Sequence, residues 1–228
     1  MLKRVFLPVL LCLAGAARAA FTIEPALVNI QANMGEKSAW VQIVHTGGPP
    51  MAIEVVVLER QLDIDGEIDR AASVKSADFM VYPSEVILYP NEKVNMQVIY
   101  KGKQKFTADK SYFLFSKEVP LPIEEEGGDV RMGVNMLMNY YTVLAVNTGK
   151  PGKLTFVSSK AAGNGTVEVV VENKSGGRVA GDGLSITVGG KKIPSFTGAK
   201  NSIMPGQKRR FTFKHPKPPT AREINFGY

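Results

Sequence analysis

Few residues in this chain are of a type that does chemistry, and their spacing does not assemble a reaction centre. The two histidines, His45 and His215, fall in different parts of the sequence, and a lone histidine is more often packed or solvated than catalytic. Carboxylates crowd into Asp63-Ile64-Asp65-Gly66-Glu67-Ile68-Asp69. That spacing is not the EF-hand one and no glutamate closes it, whereas Asp65-Gly66 is a pair that tight hairpins favour, so a turn is expected in place of a calcium loop. The G-x-S-x-G elbow, H-E-x-x-H, the Walker loop and the dinucleotide fingerprint do not occur. Glycine pairs at Gly127-Gly128, Gly176-Gly177 and Gly189-Gly190 sit in turn contexts. We expect no enzyme, no catalytic residue, no metal and no cofactor.

The single cysteine, Cys12, lies within a leader. Lys3 and Arg4, the apolar run from Val5 to Ala14 and the small-residue sequence Ala17-Arg18-Ala19 read as a signal peptide spanning 1–19 and cut after Ala19. Cys12 follows Leu11, where a lipid-anchored signal requires a small residue. The mature chain would hold no thiol, which excludes disulfides and thiolate zinc sites and leaves its cores to hold it together outside the cytoplasm. No later run reaches the roughly 18 apolar residues of a membrane helix, so no integral membrane segment is expected after the leader.

The formal charge of +7 falls to +4 when Lys3, Arg4 and Arg18 are removed. Much of the basic content comes late, at Lys191, Lys192, Lys200, Lys208, Arg209, Arg210, Lys214 and Lys217. No recognition motif accompanies these residues, so a solvated basic face is expected and nucleic acid is not.

The elements that must carry any function are strands. Short β-branched runs between turn residues give candidates over Thr22–Ile30, Ser38–His45, Met51–Glu59, Phe79–Leu88, Lys93–Tyr100 and Ser111–Val119. Trp40, in the second, is expected to pack in the core. A turn-rich hexapeptide, Asn147 to Gly152, then separates a second series: Leu154–Lys160, Gly165–Glu172, Gly183–Val188, Lys191–Ile193, Lys208–Lys214 and Arg222–Phe226. We expect an all-β chain of two immunoglobulin-like β-sandwich domains in tandem, over 20–147 and 148–228.

At the end of the first domain, Val130 to Val146 forms the most unusual stretch. Read at period two it places Met132, Val134, Met136, Met138 and Tyr140 on one face. As one straight strand it would run roughly 55 Å. That oily face fits either the domain's own core or a strand lent to another chain.

The order of features resembles the periplasmic chaperones of the chaperone-usher pilus pathway. Phe79-Met80-Val81-Tyr82-Pro83 followed by Leu88-Tyr89-Pro90-Asn91-Glu92 is similar to that family's proline, spacer, leucine and turn segment. Tyr112-Phe113-Leu114-Phe115-Ser116-Lys117-Glu118-Val119-Pro120 is similar to its aromatic strand ending in basic, Glu, aliphatic, Pro. The resemblance covers Phe21 to about Val146. It implies a periplasmic chaperone that binds incomplete pilus subunits by donor-strand complementation and delivers them to an outer-membrane usher for fibre assembly. Met132, Val134, Met136, Met138 and Tyr140 would be the donor residues. Burying four such side chains contributes about 6 to 12 kcal/mol before association costs are subtracted, and methionines adapt to grooves of different shape.

One feature of the family is missing. It usually holds the subunit's terminal carboxylate with two basic residues, one on the first strand and one deep in the donor strand. The corresponding positions here fall near Leu27 and near Tyr141 or Thr142, and no lysine or arginine lies between Phe21 and Met34 or between Met132 and Thr148. Two other functions remain open: a self-assembling or adhesive extracellular structural sandwich, and a carbohydrate-binding sandwich with an aromatic platform on one face. Tyr140 and Tyr141 point to opposite sides of their strand and make a poor platform.

Overall fold

The computed structural model of the chain describes residues 21–102, 105–121 and 137–228. The signal-peptide reading over 1–19 and the donor candidates Met132, Val134 and Met136 lie outside the described residues. The described elements are β1 (Phe21–Glu24), β2 (Leu27–Gln31), a 3-10 turn (Ala32–Met34), β3 (Ser38–His45), β4 (Met51–Glu59), β5 (Phe79–Tyr82), β6 (Glu85–Leu88), β7 (Lys93–Tyr100), β8 (Lys110–Val119) and β9 (Asn139–Asn147). After these come β10 (Leu154–Gly163), β11 (Thr166–Asn173), β12 (Ser185–Val188), β13 (Lys191–Lys192), β14 (Lys208–Lys214) and β15 (Ile224–Gly227).

The first sandwich packs a four-stranded sheet, β1-β3-β7-β5, on a five-stranded one, β2-β9-β8-β4-β6. Strict alternation supplies its core: Val41 and Ile43 of β3, Ile53, Val55 and Val57 of β4, Met96 and Val98 of β7, and Leu144 and Val146 of β9 all turn inward. The second sandwich has sheets β10-β11-β14 and β13-β12-β15 around Val167, Val169, Val171, Ile186, Phe211 and Phe213.

Two stretches expected as single strands are each broken. Thr22–Ile30 divides into β1, which pairs with β3, and β2, which pairs in parallel with β9 on the opposite sheet. Phe79–Leu88 divides into β5, paired with β7, and β6, paired with β4. Pro25 and Pro83 stand at the two crossings. Lacking an N–H, proline cannot continue a ladder, and here the chain changes sheets at each.

Two expectations about single residues are corrected. Trp40 is not in the core but 63% exposed on the outer face of β3. Its alternation partners are Ser38 and Gln42, while Val41 and Ile43 take the inward side. Nor is the late basic run a uniformly solvated face. Arg209 is fully buried, donating to the carbonyls of Gly198 (3.0 Å), Lys200 and Ser202.

His45 is buried and satisfied: its Nδ1 accepts from the N–H of Gly47 at 2.9 Å, so its Nε2 donates to the carbonyl of Pro49 at 2.7 Å. The acidic segment is a turn, bridged at Leu62 and Ile68 with Gly66 at φ 82°. Asp63 Oδ1 accepts the N–H groups of Asp65 and Glu67. This turn lies against the second sandwich. The N–H of Arg210 donates to the carbonyl of Ile64, Asn201 Nδ2 to that of Gly66, and Lys200 pairs with Glu67 at 2.6 Å.

Candidate functional site

Strand β9 is laddered unequally on its two sides. On one side it pairs with β8 along its length, from Asn139 opposite Lys117 to Val146 opposite Lys110. On the other side β2 covers Val143 to Asn147 only, beginning with Leu27 opposite Val143. From Asn139 to Thr142 the second edge has no partner strand among the described residues. Pairing with β8 extends one residue further back, since the N–H of Glu118 donates to the carbonyl of Met138 at 2.9 Å and the N–H of Met138 to Glu118 Oε2 at 3.1 Å.

Apart from the exposed Asn139, the side chains of this segment are engaged within the molecule. Met138 and Tyr140 are half-buried against the first core, where Tyr140 meets Phe21 edge-on at 4.7 Å. Tyr141 points to the opposite face, as the alternation predicts. There it packs on Phe115 (4.7 Å) and Phe113 (5.4 Å) beneath the Arg70 guanidinium at 5.0 Å. Thr142 is buried, between the inward positions of Tyr140 and Leu144. Free backbone at the edge, rather than free side chains, is what the described part of β9 offers a partner.

Where β2 begins, the edge runs into a cleft between the two sandwiches. The cavity, about 340 Å³, is lined by Leu27, Ser111, Val143 and Ala145 of the first sandwich and by Arg178, Asp182, Asn201, Ser202 and Met204 of the second, with Arg60 among them. Leu27, one of these lining residues, is 44% exposed. Tyr141 and Thr142 flank the cleft along β9 without lining it.

Arginines that no spacing argument identified supply the cationic character of this cleft. Arg60, the residue after β4, donates to Ser111 Oγ (3.3 Å) and Asn201 Oδ1 (2.6 Å) and lies over the Phe113 ring at 5.4 Å. Burial, and next the nearby Arg209, push its pKa below the usual arginine value. Arg209 is also held below the usual value by burial, against the opposing pull of Asp63, Asp65 and Glu67. The Nε atoms of both are buried without a hydrogen-bond partner. Arg178 is exposed, its N–H donating to Asp109 Oδ2 at 3.0 Å, and its guanidinium has no ion pair among the described residues. Arg60 and Arg178 line the cleft with one carboxylate, Asp182, so its net charge is positive and suits an anion. Arg60 and Arg178 are separated by more than a hundred positions, so only the fold brings them together.

Among the described residues, no group of three His, Cys, Asp or Glu side chains is placed to hold a metal ion, and no helix is long and apolar enough to cross a membrane.

No family model matches the sequence, and no curated protein matches it either. Solved structures do match the fold. A chain from the complex of Salmonella enterica SafA pilin with the SafB chaperone superposes with TM-score 0.55 at 19% identity, over 85% of this chain and 84% of that one. The E. coli chaperone DraB superposes with TM-score 0.54 at 15% identity, over 87% of this chain and 86% of that one. The class 5 fimbriae chaperone CfaA gives 0.58 at 12% identity, over 82% and 83%. At such identities the likeness is one of fold, and it establishes that this chain has the two-sandwich fold of the chaperone-usher pilus chaperones.

Proposed function

We propose that this chain is a periplasmic chaperone that stabilises incomplete pilus subunits by donor-strand complementation and passes them to an outer-membrane usher. The reading rests on one observation: from Asn139 to Thr142 the edge of β9 is paired with β8 on one side and has no partner strand on the other among the described residues, in a strand otherwise fully laddered. An unpaired edge invites another chain to add a strand. The segment just before it carries Met132, Val134 and Met136, which would fill the client's groove, with Met138 and Tyr140 continuing the strand and anchoring it to the first core. The domains would divide at 147/148, after removal of a signal peptide over 1–19.

In this reading the cleft receives the client's C-terminal carboxylate, in the place of the basic pair that the first strand and β9 lack. Arg60 and Arg178 would neutralise it, Leu27 would pack on the last client side chain, and the backbone at Tyr141 and Thr142 would meet the client as it leaves the edge.

Co-expression with candidate subunits followed by co-purification tests the reading. Val134→Asp with Met136→Asp should abolish capture of the subunit while the purified protein keeps its melting transition; Val134→Met should be tolerated. Unfolding of the double variant would place these side chains in the protein's own core and overturn the donor role. Concentration-dependent fibres without a subunit would favour a self-assembling structural protein.

A further inference from the structure

The outer face of the four-stranded sheet, on the side of the first sandwich away from β9, carries a second surface that the chaperone reading does not use. Cross-strand register aligns Trp40 of β3, Gln97 of β7 and Tyr82 of β5 in one row. The adjacent row is Ser38, Ile99 and Met80. Trp40 is 63% exposed, Tyr82 70% and Met80 46%. This is an aromatic bench on the outer face of the sheet. Isolated exposed apolar residues need no explanation, but an in-register group of them does.

Its polar chemistry is specific. Gln97 Nε2 donates to Ser38 Oγ at 3.1 Å, which fixes the amide between the two rings. The Trp40 indole N–H and the Tyr82 hydroxyl make no hydrogen bond among the described residues. Beyond Trp40 a second amide pair, Gln42 Nε2 to Asn95 Oδ1 at 3.0 Å, continues the polar strip. Neither row that forms the bench contains a charged side chain. Protein interfaces of this apolar content concentrate their anchors in pockets. Here two separate flat rings are spaced by an amide.

Trp40 and Tyr82 lie two strands apart, about 9.6 Å from the usual strand spacing. In an extended β-1,4-linked pyranose chain, alternate units turn the same face to one side, and two units cover about that distance. From this match in spacing, together with the neutral donors and acceptors between the rings, we infer that the Trp40-Gln97-Tyr82 row is a binding site for a neutral β-1,4-linked glycan. One pyranose stacks on Trp40 and the second-next on Tyr82. The intervening unit's hydroxyls lie over the Gln97 amide. The inference does not rest on the chaperone reading, because the bench and the open edge belong to different sheets.

Trp40 is the only tryptophan in the chain, so its emission reports from the site. Titration of the purified full chain with cellohexaose and with the hexamer of N-acetylglucosamine should give a saturable change in Trp40 emission with at least one of them, and glucose should give none. Tyr82→Ala keeps the reporter and should weaken that binding by roughly tenfold, the loss of one stacked ring. Gln97→Ala should weaken it as well, and both variants should melt as the parent does, since the residues lie on the outer face. Absence of saturation with either hexamer would overturn the assignment. So would binding that is indifferent to Tyr82→Ala, or an emission that shifts with protein concentration alone, since a second copy would then be covering the face.

Discussion

The carboxylate of Asp109 accepts both the backbone N–H (2.7 Å) and the hydroxyl (2.6 Å) of Thr148. Its other oxygen takes the N–H of Arg178 at 3.0 Å, while its own N–H donates to the carbonyl of Gly176. One buried residue of the first sandwich thus ties the connecting segment and the second sandwich together. The docked acidic turn makes a second fastening. Together they fix the two sandwiches on either side of the cleft, as the proposed capture of a chain end would need.

Asp109→Ala should destabilise the protein by about 2 to 4 kcal/mol, because three donors lose a charged acceptor where little water can replace it. Asp109→Asn should lose less, as its carbonyl oxygen keeps two of the bonds. Urea unfolding followed by tryptophan emission and by far-UV circular dichroism measures both. A variant whose two probes no longer coincide would have uncoupled the sandwiches.

Arg209→Met should destabilise the second sandwich by about 1 to 3 kcal/mol, as the carbonyls of Gly198, Lys200 and Ser202 lose their shared donor. Glu67→Gln, at the exposed Lys200 pair, should leave the melting temperature unchanged, as surface ion pairs usually do. Calorimetry on the two variants separates the buried contribution from the exposed one.

Tyr140→Ala should cost about 2 to 4 kcal/mol, since the ring packs edge-on against buried Phe21, while Tyr140→Phe should be close to neutral. Met132→Ala, by contrast, should lower subunit capture more than it lowers stability. Thermal melts and subunit co-purification on the same variants distinguish a core residue from a donor residue.

Arg178→Ala should weaken the binding of a subunit-derived C-terminal peptide by roughly tenfold or more without changing stability, and the weakening should shrink as salt is raised. Amidating the peptide's terminus should remove most of the difference. Arg60→Ala should lower both binding and stability, because Arg60 also holds Ser111 and Asn201. Fluorescence anisotropy with a labelled peptide reads all of these.

The Glu223 carboxylate is held below the usual carboxylate range by the N–H and hydroxyl of Thr220, and further by Lys217. A lowered folded-state pKa means a contribution present above the unfolded value, about 4.3, and lost as pH falls through the folded one. The stability difference between the parent and Glu223→Gln should therefore be constant near neutrality and shrink below about pH 4. Melts across an acid series check it.

Period-two alternation alone determined the all-β class and much of its strand content. Ser38–His45, Met51–Glu59, Lys93–Tyr100 and Lys208–Lys214 match β3, β4, β7 and β14 end for end, because a half-buried strand writes its inside and outside into consecutive residues. The same signal placed Trp40 beside Ser38 and Gln42, opposite Val41 and Ile43. The general preference of tryptophan for burial obscured it. Tertiary structure decided what alternation does not encode: that the chain changes sheets at Pro25 and Pro83, that β2 covers only half of β9, and that Arg60 and Arg178 share a cleft. Each of these depends on which strand lies beside which. That is settled by the packing of two sheets over one core, and local sequence carries no record of a neighbour a hundred residues away.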